Sequence, residues 1–140
     1  MKDILCMCFG MIGAAIAKLF GGWSSGMTTL VIFMAVDYIT GIILAAVFGK
    51  SKKSDTGCLT SAACWKGLVK KGITLLIVLI GCRLDLLIGT NYIRDAAVIA
   101  FCTSEAMSIL ENAGLMGIPI PGVITKAIEI LKKEEEAQPE

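Results

Sequence analysis

Hydrophobic positions in this chain come in long blocks separated by short polar breaks, rather than at the short periods of a half-buried soluble fold. Residues 4–20, ILCMCFGMIGAAIAKLF, form a first block interrupted only by Lys18, and the GGWSS that follows supplies a turn with Trp23 at an interface. Residues 26–48 make a second run of 23 positions broken only by Asp37. At about 1.5 Å per residue it is long enough for a hydrocarbon core of about 30 Å. A third block, about 68–93, is apolar through LLIVLIGC and then meets Arg83 and Asp85. The fourth, 95–118, stops where Gly117, Pro119 and Pro121 make helix continuation unfavourable.

After Pro121 the period changes. Val123, Ile124, Ala127, Ile128 and Leu131 share one face at helical spacing, which predicts a short amphipathic helix. Its apolar stripe is expected to rest on the bilayer surface or on a neighbouring subunit, with a frayed tail over Lys132 to Glu140. The whole pattern predicts an all-α integral membrane protein with three to four transmembrane helices. Residues 1–121 form the membrane domain and 122–140 a cytoplasmic helix and charged tail. The first block either spans or, because Lys18 shortens it, lies in the interface and leaves three spans. A signal peptide ending near Ala15-Ile16-Ala17 is the remaining alternative, weakened by Asp3 in the segment that ought to be positive.

Composition supports lipid as the solvent. Hydrophobic residues make up 56% of 140 and mean hydropathy is +0.78, more apolar surface than a small soluble domain can hide. The net charge of +1 conceals an asymmetry: residues 49–71 carry Lys50, Lys52, Lys53, Lys66, Lys70 and Lys71 against the single acid Asp55. The positive-inside bias therefore assigns this loop to the cytoplasm, and with four spans both termini as well. Nothing in this balance points to nucleic acid. Six cysteines lack CxxC spacing and there is no histidine, so no zinc site, other metal or cofactor is called for, and no nucleophile–base pair suggests an enzyme. Cys6, Cys8, Cys82 and Cys102 read as small hydrophobes.

Ionisable groups at bilayer depth cost at least about 2.5–3.5 kcal/mol each, so they persist only where they face protein or water. Asp37 and Glu105 each sit near the middle of a block and reach similar depth if their helices pack side by side. Both are expected as hydrogen-bond-donating acids until water enters. On the fourth block Ser104, Ser108, Glu111 and Asn112 collect on one broad face with Glu105 on the adjoining strip. That face either cross-links helices within a subunit or seals subunits when closed and lines water when open. Arg83 and Asp85, two apart, do not face one another. Arg83 needs Asp37, Glu105 or a route to the interface. Small residues at four-residue intervals, Gly13 and Ala17, then Gly41 and Ala45, permit close helix approach, within the chain or between copies.

The ordered set of motifs resembles the phage holin and toxin-secretion holin family, which includes the clostridial toxin-export holins. The elements are Asp37-Tyr38-Ile39-Thr40-Gly41 in a span, Trp65-Lys66-Gly67 with Lys70-Lys71 before the next, and Ser108-Ile109-Leu110-Glu111-Asn112. Gly117-Ile118-Pro119-Ile120-Pro121 closes the series. The resemblance covers roughly residues 30–131. It implies a homo-oligomer in the bacterial cytoplasmic membrane that forms lesions, releasing an endolysin or permitting toxin export, in some cases under an antiholin, with no catalytic residues. Two other functions compete: a small oligomeric channel or transporter using Asp37, Arg83 and Glu105, and a non-conducting adaptor that recruits a soluble protein through its C-terminal helix.

The charge bias gives the first test. Cys58 and Cys64 lie in the lysine-rich loop, so a membrane-impermeant thiol reagent should leave them unlabelled in intact cells before any lesion forms. Labelling at that stage would reverse the orientation.

Overall fold

A computed structural model describes residues 1–137 and is helical throughout, with five helices and no strand among the described residues. α1 (Lys2–Leu19), α2 (Ser25–Ile43), α3 (Ser61–Ile88), α4 (Ile93–Leu115) and α5 (Gly122–Glu136) follow the predicted blocks. α2 continues through a π-helical turn, Leu44–Phe48, to Gly49 in the left-handed region. Among the described residues, the combined segment of 24 residues is the one helix whose length and composition alone suffice to cross a membrane.

Two differences from the sequence expectation concern boundaries and a third concerns packing. α3 starts at Ser61 rather than about 68, because Thr60 caps it by accepting a hydrogen bond from Ala63 N–H at 3.2 Å. Half of the expected loop is therefore helix. α5 runs to Glu136, through the expected frayed tail, of which residues 138–140 lie outside the described residues. It also folds back along α4, burying Ile128 and half-burying Leu131 while Val123 and Ile124 stay exposed. Part of its stripe is thus covered by its own chain.

α4 is the organising helix, packed against both α2 and α3. The reason is legible in the register of α2: Met27, Leu30, Met34, Asp37, Gly41 and Leu44 recur at alternating steps of three and four, a seam that keeps facing a partner helix. Met27, Leu30, Met34, Val78, Cys82, Val98 and Cys102 form the apolar core, closed at one end by Phe20. Leu30, Met27 and Val78 are fully buried, so each loses roughly 1.5–3 kcal/mol if exposed to water. Gly81 permits the close α3–α4 approach, since a Cβ there would lie 3.4 Å from the Arg94 backbone.

α1 differs from the others in having no buried residue. Only its end is tied down: the Phe20 carbonyl accepts from the Cys82 thiol and from the Arg94 guanidinium, both at 3.2 Å. Ile4, Phe9, Ile12 and Ile16 are all exposed, so the helix is apolar without an intramolecular partner. Gly13 has nothing within 4 Å of a would-be Cβ. By contrast, Gly41 lies against Asn112 of α4 and Ala45 is buried, so the small residues of α2 serve packing within the chain.

Asp85, a pore or gating candidate in the sequence, is buried at the α3–α4 turn and fastens it. Its carboxylate accepts from Thr90 Oγ1 at 2.7 Å, from Ile93 N–H at 3.1 Å and from Arg94 N–H at 2.9 Å. The last two are orphan donors at the start of α4, which has no side-chain cap of its own. Asp85→Ala should therefore lower the melting temperature of the detergent-solubilised protein, as loss of a helix cap does. Arg83→Ala, at an exposed position, should stay within about 0.5 kcal/mol. Thermal melts followed by circular dichroism compare the two, and equal effects would refute the capping role.

Candidate functional site

The seam that places Asp37 opposite α4 also places it beside α3, and there buried Asp37 and Asn112 meet the half-buried Lys71, Glu105 and Ser108. Asp37 is 4% exposed. One carboxylate oxygen accepts from Ser108 Oγ at 2.6 Å and from Asn112 Nδ2 at 3.2 Å. The other accepts from Lys71 Nζ at 2.9 Å and from Lys53 Nζ at 3.3 Å. Lys71 reaches on to Glu105 Oε2 at 2.5 Å, so one ammonium bridges the carboxylates of two helices. Asn112 also donates to Thr40 Oγ1 at 3.0 Å.

All four groups around Asp37 are donors, the pattern of an acceptor-only carboxylate rather than of the hydrogen-bond-donating acid expected from burial alone. Lys71 makes the difference. Its side chain is 14% exposed, as is that of Glu105, whereas Lys53 is half exposed and reaches in from the loop. The loop can do this because it is folded on itself. Ser51 N–H bonds to Gly57 O at 2.9 Å, and at Gly57 a Cβ would fall 2.3 Å from the Gly49 carbonyl oxygen, so only glycine fits. Tyr38 secures α3 against α2 by donating to the Cys64 carbonyl at 3.3 Å.

A cleft of about 430 Å³ leads to this cluster from the loop side, between α2 and α3, with Asp37, Lys71 and Glu105 among its lining residues. On the other side of the cluster lies the apolar core around Leu30 and Val78. The arrangement is a charged, accessible cluster facing the loop and an apolar core facing the α1–α2 and α3–α4 turns.

Of the expected site residues, the structure brings together Asp37, Glu105, Ser108 and Asn112. It separates the rest. Ser104 is exposed, and Glu111 is exposed and pairs with Lys52 on the surface. The broad polar face of α4 is therefore two strips: 105, 108 and 112 turn inward, 104 and 111 outward. Arg83 lies about 18 Å along α3 from Lys71 and faces outward, so it completes no pathway with Asp37 and Glu105. Lys71, Lys53 and Thr40 were missed. For Lys71 the signal existed: Lys71, Leu75, Val78, Cys82 and Asp85 step by four and three along α3, the same seam rule that α2 obeys.

The sequence profile of the bacteriophage holin family matches residues 14–133. An uncharacterized protein of Clostridium perfringens is 32% identical over 135 residues, 94% of each chain. Another of Listeria monocytogenes is 35% identical over 125 residues, 87% of this chain and 84% of the relative. A probable holin of Bacillus phage phi105 is 28% identical over 135 residues, 96% of this chain and 93% of the relative. No solved structure matches.

Because breaking a buried ion pair leaves an uncompensated charge, Lys71→Met should destabilise the protein in detergent by about 3–5 kcal/mol. The triple variant Asp37→Asn, Glu105→Gln, Lys71→Met removes all three charges together and should recover most of that loss. A Lys71→Met melt that matches wild type would show that charge does not hold the cluster.

Proposed function

This chain belongs to the bacteriophage holin family, and from that premise we propose that it accumulates in the bacterial cytoplasmic membrane, oligomerises and opens lesions. Those lesions pass an endolysin or an exported toxin, and an antiholin is a natural regulator. In this reading α2, α3 and α4 cross the bilayer, α1 either crosses or lies on it, and the 49–60 loop is cytoplasmic.

The observation that carries the reading is the Asp37–Lys71–Glu105 bridge. It is a charged cluster at one end of an apolar core, and ion pairs hold its own members together. Such a cluster is metastable in lipid. Each ion benefits from hydration once water arrives, so an assembly that separates the helices gains what the closed subunit forgoes. Two further features support oligomerisation. α1 has no covered face in its own chain, and α4 exposes Ser104, Met107, Glu111 and Gly114 in one strip, too polar to favour lipid.

Induced expression in a bacterial host tests this directly, following membrane potential and the release of cytoplasmic proteins of graded size. After a delay for assembly, potential should collapse and growth stop; steady growth with full membrane accumulation would end the holin reading. Glu105→Gln keeps shape and hydrogen bonding but removes the Glu105 charge that Lys71 pairs with in the closed subunit, so the joint is weakened before any opening. Lysis should come earlier at matched protein level, with a smaller effect for the outward Ser104→Ala. An unchanged lysis time for Glu105→Gln would make that carboxyl purely structural.

A further inference from the structure

The cleft above the Asp37 cluster is lined by Lys52, Lys53, Lys66, Lys70 and Lys71 against only two carboxylates, Asp37 and Glu105. Three of these lysines are committed, Lys53 and Lys71 to the cluster and Lys52 to Glu111. Lys66 and Lys70 have no carboxylate within ion-pair distance among the described residues, and both are exposed. Being four apart on α3 they share a face, where like charges repel unless an anion joins them. Thr60 and Ala63, at the start of α3, line the same cleft and bring the positive end of a 28-residue helix to it.

We propose that this cleft is a binding site for the phosphate of an anionic phospholipid in the cytoplasmic leaflet, an assignment that rests on the reading of α2 and α3 as membrane-crossing helices. Two observations favour a lipid over a soluble phosphate. Trp65, 69% exposed, adjoins Lys66 and marks headgroup depth for that turn of α3. Ile42, Ala45 and Leu59 also line the cleft, giving an apolar wall for the glycerol and first methylenes below the phosphate. A basic pocket between membrane helices on the cytoplasmic side is the geometry that anionic headgroups fit. The bound lipid would sit across the α2–α3 seam, above the ion pairs that hold the bundle closed.

The test uses Trp65 as its own reporter, in full-length protein carrying Trp23→Phe, reconstituted in phosphatidylcholine vesicles. Brominated phosphatidylglycerol or brominated phosphatidylcholine is added as quencher. Preferential quenching by the anionic lipid is expected, and Lys66→Gln with Lys70→Gln should reduce the preference about 25-fold, about fivefold per lysine. Lys126→Gln with Lys132→Gln, on α5, should leave it unchanged. Equal quenching by both lipids, or a preference indifferent to Lys66 and Lys70, overturns the site while leaving the membrane reading intact. Absence of quenching by either lipid overturns the membrane placement and the site with it. Loss of the preference on adding millimolar inorganic phosphate would reassign the cleft to a soluble anion.

Discussion

A carboxylate inside an apolar helical bundle must be met by charge or by water, and here Asp37 is met by two lysines, one of them shared with a second acid. Lys71 lies within reach of both Asp37 and Glu105, so α2, α3 and α4 are joined at one ammonium. Apolar packing ties α2 and α3 to α4 but does little between α2 and α3 themselves. That third side of the bundle depends on the bridge, on Tyr38 and on Lys53 descending from the loop. Ion pairs in a dry interior are strong when complete and costly when one partner leaves. The bundle therefore has a joint that is rigid while whole and unstable once a single contact fails.

The rest of the architecture follows from the position of that joint. Towards the loop the bundle is charged and opens into the cleft; towards the opposite turns its core is apolar, closed by Phe20 and pinned by Asp85 at the start of α4. Buried charge thus has two local uses, an ion-pair joint near the loop and a capping carboxylate at the α3–α4 turn.

α1 and α5 stand outside the joint and differ in kind. α1 is apolar on every side and attached by its last residue, so its environment is set by lipid or by another copy. α5 is amphipathic and keeps its charged face outward while Ile128 packs inward. The Gly117 turn that separates it from α4 is a Schellman closure, with Ile118 N–H on the Ala113 carbonyl at 3.0 Å and Gly117 N–H on Gly114 at 3.0 Å. The two prolines beyond it prevent the helix from resuming along its old axis.

By itself the sequence determined the helical segments, the amphipathic character of the last one, and the fact that Asp37, Glu105, Ser108 and Asn112 must find protein or water. Those are local consequences, since block length, breakers and the cost of polar groups in an apolar medium act on each segment independently. Even the resemblance to holins rested on motifs within segments. Tertiary structure alone decided who meets whom. Lys71 rather than Arg83 answers the two acids, Asp85 caps the start of α4, and Ser104 and Glu111 turn away from the site they share a helix with. Each of these depends on how far a helix is rotated about its axis and how deep it sits against its neighbours. A rotation of one residue, about 100°, exchanges an inward for an outward side chain, and that angle is set by the packing of all the seams together.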